Sequence, residues 1–134
     1  ALYNQSAKDA GLAEAVARAV KRFSVELALV GLAGSRSVEA ARGMGLRVLE
    51  EGFPDRGYTP DGQLIPRSQA GAILSSVEAV AAHAVSLAMD GIAVGEKRIR
   101  VDTLCLHGDN VHAAENARRV RSALETAGVE VAAN

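Results

Sequence analysis

Residues 26–33, Glu-Leu-Ala-Leu-Val-Gly-Leu-Ala, carry no polar side chain after the opening glutamate. A strand with one wet face alternates apolar and polar residues. An unbroken apolar run belongs to a strand covered on both faces, as in parallel sheets. Residues 46–49 (Leu-Arg-Val-Leu) and 102–106 (Asp-Thr-Leu-Cys-Leu) have a similar character. Helical patterns separate these strands. Ser6 and Asp9 make a capping-box-like start to a helix over residues 7–22, with Leu12, Ala15, Val16, Ala19 and Val20 on its apolar face. A short helix through Val38, Ala41 and Met44 stops at Gly45. Ser75 or Ser76 caps a third, which turns Val77, Val80, Ala81, Ala84, Leu87 and Ala88 inward and stops at Gly91. Residues 91–100 form a polar connection or a small hairpin. The last helix, residues 111–127, is expected to bury Ala114, Ala117, Val120 and Leu124, and residues 129–131 read as a short closing strand. Strands alternating with helices imply right-handed crossovers and an α/β fold with a parallel sheet. Three or four strands suit half a barrel, or an incomplete doubly wound sheet, better than a finished domain.

The 134 residues suffice for a single domain with one core. A formal net charge of −1 provides no electrostatic footprint for nucleic acid or an anionic membrane. No run approaches the ~18 apolar residues of a membrane span. The start, Ala1-Leu-Tyr-Asn-Gln, has neither the basic region nor the apolar core of a secretory signal, so a cytoplasmic location is expected. It also lacks an initiator methionine, as would a processed chain or one cut from the middle of a larger fold. The single Cys105 leaves no internal disulfide and no cysteine-based zinc cluster.

Residues 51–72 break both periods. The segment holds Arg56 and Arg67, the carboxylates Glu51, Asp55 and Asp61, Tyr58, and all three prolines. A long irregular segment in a compact domain is functional or disordered. The prolines, paired charges and Phe53 and Tyr58 argue for an ordered, chemically equipped loop. Within it, Tyr58-Thr-Pro-Asp-Gly62 is a turn: Pro60 presets φ, Asp61 bonds its own backbone and Gly62 takes positive φ. Extended arms are expected near residues 55–58 and 63–66.

Parallel α/β folds bind ligands at the C-terminal ends of their strands. Three such ends offer Gly34-Ser35, then Glu51 with Asp55-Arg56, then His107-Gly108-Asp109. His107 and Asp109 flank a glycine that permits a sharp turn. They read as a general base and its carboxylate, or as two ligands of a metal, though two are too few for a metal site. The alternative is that Asp109 or Asn110 caps the last helix and His107 is a satisfied core residue. Glu51 and Asp55 offer a second acid or base, or Asp55 and Arg56 are a surface ion pair. Arg67 suits bidentate capture of a substrate carboxylate, against a solvated loop arginine. Gly31-Leu-Ala-Gly34-Ser35 has the look of a phosphate turn without the lysine of a P-loop. Cys105 reads as inert core, and His83 and His112 carry no motif around them.

The motifs together resemble the LamB/YcsF family. Ala1-Leu-Tyr-Asn4 is similar to the tail of its His-Gly-Ala-Leu-Tyr-Asn motif, and Gly31-Leu-Ala-Gly-Ser35 to its strand-end turn. Glu51-Gly-Phe-Pro-Asp-Arg-Gly-Tyr58 resembles its Glu-x-Phe-x-Asp-Arg-x-Tyr segment. Pro66-Arg-Ser-Gln-Ala-Gly-Ala72 is similar to Arg-x-x-Pro-Gly-Ala, with Ala70 in place of the proline. Asp102-Thr-Leu-Cys-Leu-His-Gly-Asp109 resembles its Cys-x-His-Gly-Asp strand end. The family's Asp-Leu-Asn-x-Asp and His-Ala-Gly-Asp motifs are absent, and its members are roughly twice as long. The resemblance therefore implies the C-terminal half of a partial irregular (β/α) barrel, seven-stranded and polysaccharide deacetylase-like, with parallel strands and flanking helices. It also implies the A subunit of 5-oxoprolinase, which opens 5-oxo-L-proline to L-glutamate with ATP, in concert with subunits B and C. ATP would be used on those partners, and this chain alone would carry about half the site. Proton transfer falls to His107 and Asp109, with Glu51 and Asp55 as second choices. Arg56, Tyr58, Arg67, Asn4 and Ser35 would bind substrate.

Two competing readings are a non-catalytic half-barrel or binding remnant, and a metal-dependent deacetylase-like hydrolase. Exposed sheet edges would make the half-barrel prone to self-association as a homo-oligomer.

Overall fold

The computed structural model of the protein describes residues 2–109 and 111–132. In chain order the elements are α1 (Leu2–Ser6), α2 (Ala10–Phe23), β1 (Ala28–Leu32), α3 (Arg36–Gly43), β2 (Arg47–Gly52), α4 (Val77–Asp90), β3 (Ile92–Val94), β4 (Lys97–Ile99), β5 (Thr103–Leu104) and α5 (Ala113–Thr126). The chain divides into two compact units. The first runs to Glu51 and includes Val101–Thr103; the second is Gly52–Arg100 and the residues from Leu104 on. No helix among the described residues is long and apolar enough to cross a membrane.

In the first unit, the expected helix over residues 7–22 starts later. Asp9 is its N-cap: the backbone there is extended, and the carboxylate accepts the Leu12 N–H at 2.9 Å. Ser6 does not take part in that cap. It ends α1 instead, donating to the Tyr3 carbonyl and accepting from the Ser37 hydroxyl at 2.9 Å. Ala13 and Ala17, wholly buried, let α2 lie close to its neighbours. Ala17, Leu29, Ala41 and Leu46 form the core, edged by Val16, Val20, Met44 and Val48. β1 and β2 pair in parallel, from Ala28 opposite Arg47 to Leu32 opposite Glu51. The run that suggested a strand covered on both faces is buried at Leu29 and Leu32, but Val30 is 42% exposed.

The sheet order is β1-β2-β5. The Asp102 N–H donates to the Glu50 carbonyl at 2.7 Å, and the Cys105 N–H to that of Gly52 at 2.9 Å. The third strand is shorter than residues 102–106 suggested, only Thr103–Leu104.

In the second unit, Ser76 caps α4 by accepting the Ala79 N–H, and the helix stops at Gly91. Residues 91–100 resolve into an antiparallel hairpin, with Ile92 opposite Ile99. α5 packs against α4 around Val80, Ala84, Val120 and Leu124. Its inner face differs in part from the expected one. Ala114 and Ala117 are exposed, whereas Asn116 is 3% exposed. Alanine is nearly indifferent to burial, so two alanines mark a face poorly. Residues 129–132 form no strand.

Candidate active site

The irregular segment is ordered by its own polar groups. The Thr59 N–H donates to the Gln63 carbonyl at 2.8 Å, and the Gly62 N–H to that of Thr59 at 2.9 Å. The Thr59 hydroxyl also bonds the Asp61 carboxylate. Gly62 has φ +78°, the conformation the turn requires. Isolated bridges join Tyr58 to Leu64 and Arg56 to Ile73. Arg56 is the spoke of this arrangement, 5% exposed. Its Nε donates to the Ala72 carbonyl at 2.8 Å and an Nη to that of Ile65 at 2.7 Å. Burial, and then the charge of Arg67, lower its pKa from the usual value. The backbone closes as tightly at Gly57, where a Cβ would lie 2.0 Å from the Gly71 carbonyl oxygen.

This frame holds Asp55, 3% exposed, against the His107 ring. Nδ1 of His107 is 2.8 Å from one Asp55 oxygen and 3.1 Å from the other. The His107 backbone N–H donates to the same carboxylate at 3.2 Å. A carboxylate buried this deeply must be paired, and an ionised one only accepts hydrogen bonds. Nδ1 therefore carries the proton, and Nε2 is the lone-pair nitrogen of the neutral ring. Phe53 stacks on that ring, centroids 5.5 Å apart and planes 19° off parallel. The His107 side chain remains 27% exposed.

The expected pairing of His107 with Asp109 is not what forms. Asp109 turns to Arg67 instead, at 3.1 Å. His107, Asp109, Asp55, Arg56 and Arg67 nevertheless line one cleft of about 360 Å³, together with Ser75 and His112. Asp109 does not cap α5 either: His112 occupies the N-cap position, and Asn110 lies outside the described residues. The surface ion pair between Asp55 and Arg56 gives way to the His107 and carbonyl contacts. Tyr58 stands outside this cleft, its hydroxyl accepting the Phe53 N–H at 2.7 Å.

The remaining sequence candidates belong to the first unit. Glu51 accepts from the Tyr3 hydroxyl at 2.8 Å. Asn4 is exposed on α1. Ser35 is 2% exposed, and its Oγ has no hydrogen-bond partner among the described residues. The turn at Gly34-Ser35 does not fit a phosphate group. The Gly34 N–H already donates to Glu50 at 2.9 Å, and Arg42 pairs with that same carboxylate at 3.2 Å. An anion there would meet the negative charge of Glu50 and have to displace it.

Residues 1–134 match the LamB/YcsF family. The chain belongs to that family. It is 49% identical over 140 residues to the 5-oxoprolinase A subunit of Heliobacterium modesticaldum, an alignment covering 99% of this chain and 54% of that one. It is 47% identical over 135 residues to the protein of the same name from Pyrococcus furiosus, covering 98% and 53%. The crystal structure of a lactam utilization protein from Thermus thermophilus superposes with a TM-score of 0.85 at 43% identity, over 99% of this chain and 54% of that one. The chain thus spans about half the length of the curated relatives it matches. In this LamB/YcsF chain, Asp55 comes from the Glu-x-Phe-x-Asp-Arg-x-Tyr segment and His107 from the Cys-x-His-Gly-Asp strand end. Two motifs 52 positions apart are therefore one hydrogen-bonded pair.

Sequence reasoning missed Phe53, Ser75 and His112 as neighbours of the site, and also His83. His83 sits mid-helix without a motif, yet its Nδ1 meets the Pro54 carbonyl at 2.9 Å. No local spacing announces that contact.

Proposed function

We propose that this chain supplies the proton-transfer centre of a 5-oxoprolinase A subunit, which opens 5-oxo-L-proline to L-glutamate. The names of its relatives and the buried Asp55 carboxylate bound to His107 support the reading. The carboxylate keeps the Nδ1–H tautomer and leaves Nε2 of His107 to take a proton from water. The resulting hydroxide adds to the lactam carbonyl carbon. When the ring C–N bond breaks, the imidazolium returns that proton to the departing nitrogen, and Asp55 stabilises the imidazolium meanwhile. Arg67 holds the substrate carboxylate, while Arg56 and Tyr58 hold the loop that carries Asp55. Glu51, Asn4 and Ser35 receive no step.

A five-membered lactam is resonance-stabilised, so its opening needs driving; ATP, when bound in the complex, would supply that drive by cleavage of its phosphoanhydride bond, activating the lactam oxygen by phosphorylation. In this reading ATP is used on the partner subunits B and C, as the family resemblance implies. In the same proposal the whole A subunit is an irregular (β/α) barrel akin to polysaccharide deacetylases and works in the cytoplasm.

The test is 5-oxoproline-dependent ATP hydrolysis and glutamate release by the protein as the cell makes it, assembled with B and C subunits. His107→Gln and Asp55→Asn are each expected to lower kcat by ~10²–10⁴-fold, the range of general base catalysis. Turnover within twofold of wild type in folded His107→Gln would refute the role of His107. Absence of 5-oxoproline-dependent turnover by the wild-type complex would refute the substrate.

A further inference from the structure

We propose that His83 is a positioning residue for the Asp55–His107 pair, acting through the Pro54 carbonyl. The inference rests on the reading of that pair as the proton-transfer centre. Nδ1 of His83 lies 2.9 Å from the Pro54 oxygen. A carbonyl oxygen only accepts, so Nδ1 carries a proton whether the ring is neutral or charged. That oxygen belongs to the peptide group joining Pro54 to Asp55. Pro54 is itself among the most completely buried side chains. The contact therefore fixes the plane from which the Asp55 side chain departs.

The same short segment is gripped on either side. The Phe53 N–H donates to the Tyr58 hydroxyl at 2.7 Å. The Asp55 carbonyl accepts the Leu74 N–H at 3.0 Å. Tyr58 also meets His83 edge to face, centroids 5.8 Å apart at 77°. His83 and Tyr58 are thus one clamp on residues 53–55. Two groups that touch the His107 ring, the Asp55 carboxylate and the Phe53 ring, hang from this segment. A small rotation of the Pro54–Asp55 peptide would move both against the imidazole. The clamp's anchor is rigid, since Val80 and Ala84 seat α4 in the core on either side of His83.

Two near-isosteric substitutions separate positioning from mere packing. In His83→Asn the amide N–H takes the place of Nδ1–H and keeps the bond to Pro54. In His83→Gln the amide falls at the place of Nε2 and the bond is lost. In the complex with B and C subunits, His83→Gln is expected to lower kcat by ~30–100-fold with KM within ~3-fold, because a displacement near 1 Å costs about that much. His83→Asn should stay within ~5-fold of wild type, and Tyr58→Phe, which removes the other jaw, should lose ~5–20-fold in kcat, on the same positioning argument.

The second readout needs no turnover. In ¹⁵N-labelled protein the His107 Nδ1–H signal should persist in wild type and His83→Asn, and should shift or disappear in His83→Gln. If His83→Gln does not fold, Tyr58→Phe carries the same test on kcat and the His107 signal. Wild-type kcat and an unchanged His107 signal in folded His83→Gln, or in Tyr58→Phe when it stands alone, would overturn the positioning role. So would His83→Asn as impaired as His83→Gln. A wild type that turns over no 5-oxoproline would refute the assigned reaction and leave the His107 signal to decide on His83.

Discussion

Arg67 and Asp109 meet at 3.1 Å with 48% and 67% of their side chains exposed to water. A pair this wet is worth at most ~1 kcal/mol, so a ligand carboxylate can replace Asp109 on the guanidinium at little cost. Under the proposed function, Asp109 is then a stand-in for the substrate carboxylate. Arg67→Gln should raise KM for 5-oxoproline ~10-fold or more with kcat nearly unchanged, since a carboxylate-binding charge is lost. The same variant should lose its preference for 5-oxoproline over a five-membered lactam lacking the carboxylate. Asp109→Asn should leave KM equal or lower. The alternative role, Asp109 as the proton-transfer carboxylate, requires instead that Asp109→Asn abolish kcat. Steady-state kinetics on the two variants decide between them. The Asp55–His107 contact differs in kind, because the 3% exposed Asp55 has little water to fall back on.

At the scale of the element, the loop between β2 and α4 depends on backbone closeness more than on side-chain packing. The Gly57 N–H donates to the Ala72 carbonyl at 3.1 Å, and its carbonyl accepts the Ile65 N–H at 3.0 Å. Arg56 bridges the same two strands of loop by carbonyls of Ala72 and Ile65. A methyl at Gly57 would sit 2.0 Å from the Gly71 oxygen, so the backbone has to part. Gly57→Ala is expected to cost ~1–3 kcal/mol, the range for overpacking, and to depress kcat by moving Asp55. Gly43 is the control: a Cβ there meets nothing within 4 Å. At the end of α3, Gly43→Ala should stabilise by ~0.4–1 kcal/mol through reduced freedom of the unfolded chain. Urea midpoints of the two variants check both signs. Equal midpoints would mean that the loop does not depend on this approach.

Across the whole molecule, what the sequence disclosed was what depends on near neighbours. Helices α2 to α5 follow from local periods and caps, as do the Ser76 cap and the turn at Gly62, and the alternation of strands with helices implied the parallel pairing of β1 with β2; α1 was not foreseen. Asp55, Arg56, Arg67, His107 and Asp109, all singled out in the sequence, line one cleft, whereas Glu51, Asn4 and Ser35 belong to the first unit and Tyr58 stands outside that cleft. The pairing within the cleft was not legible. His107 and Asp109 are two positions apart and invite a match, while the partner that forms lies 52 positions away. Nothing local encodes that distance, nor the contact from His83 to Pro54. The face of α5 failed for a related reason, since its two exposed alanines satisfy either environment. What fixes that face is the packing of Val120 and Leu124 against Val80 and Ala84. Leu124, 6% exposed, bears much of it. Leu124→Ala should therefore cost ~2–4 kcal/mol, transfer and cavity together, a large part of the ~5–15 kcal/mol that holds a domain folded. Ala117→Leu, on the exposed side of the same helix, should change stability by less than ~0.5 kcal/mol, as surface substitutions do. Urea denaturation of the two variants measures the difference. Native-state hydrogen exchange should quicken in α4 and α5 for Leu124→Ala alone, and equal losses in both variants would mean that α5 buries the face its alanines suggested.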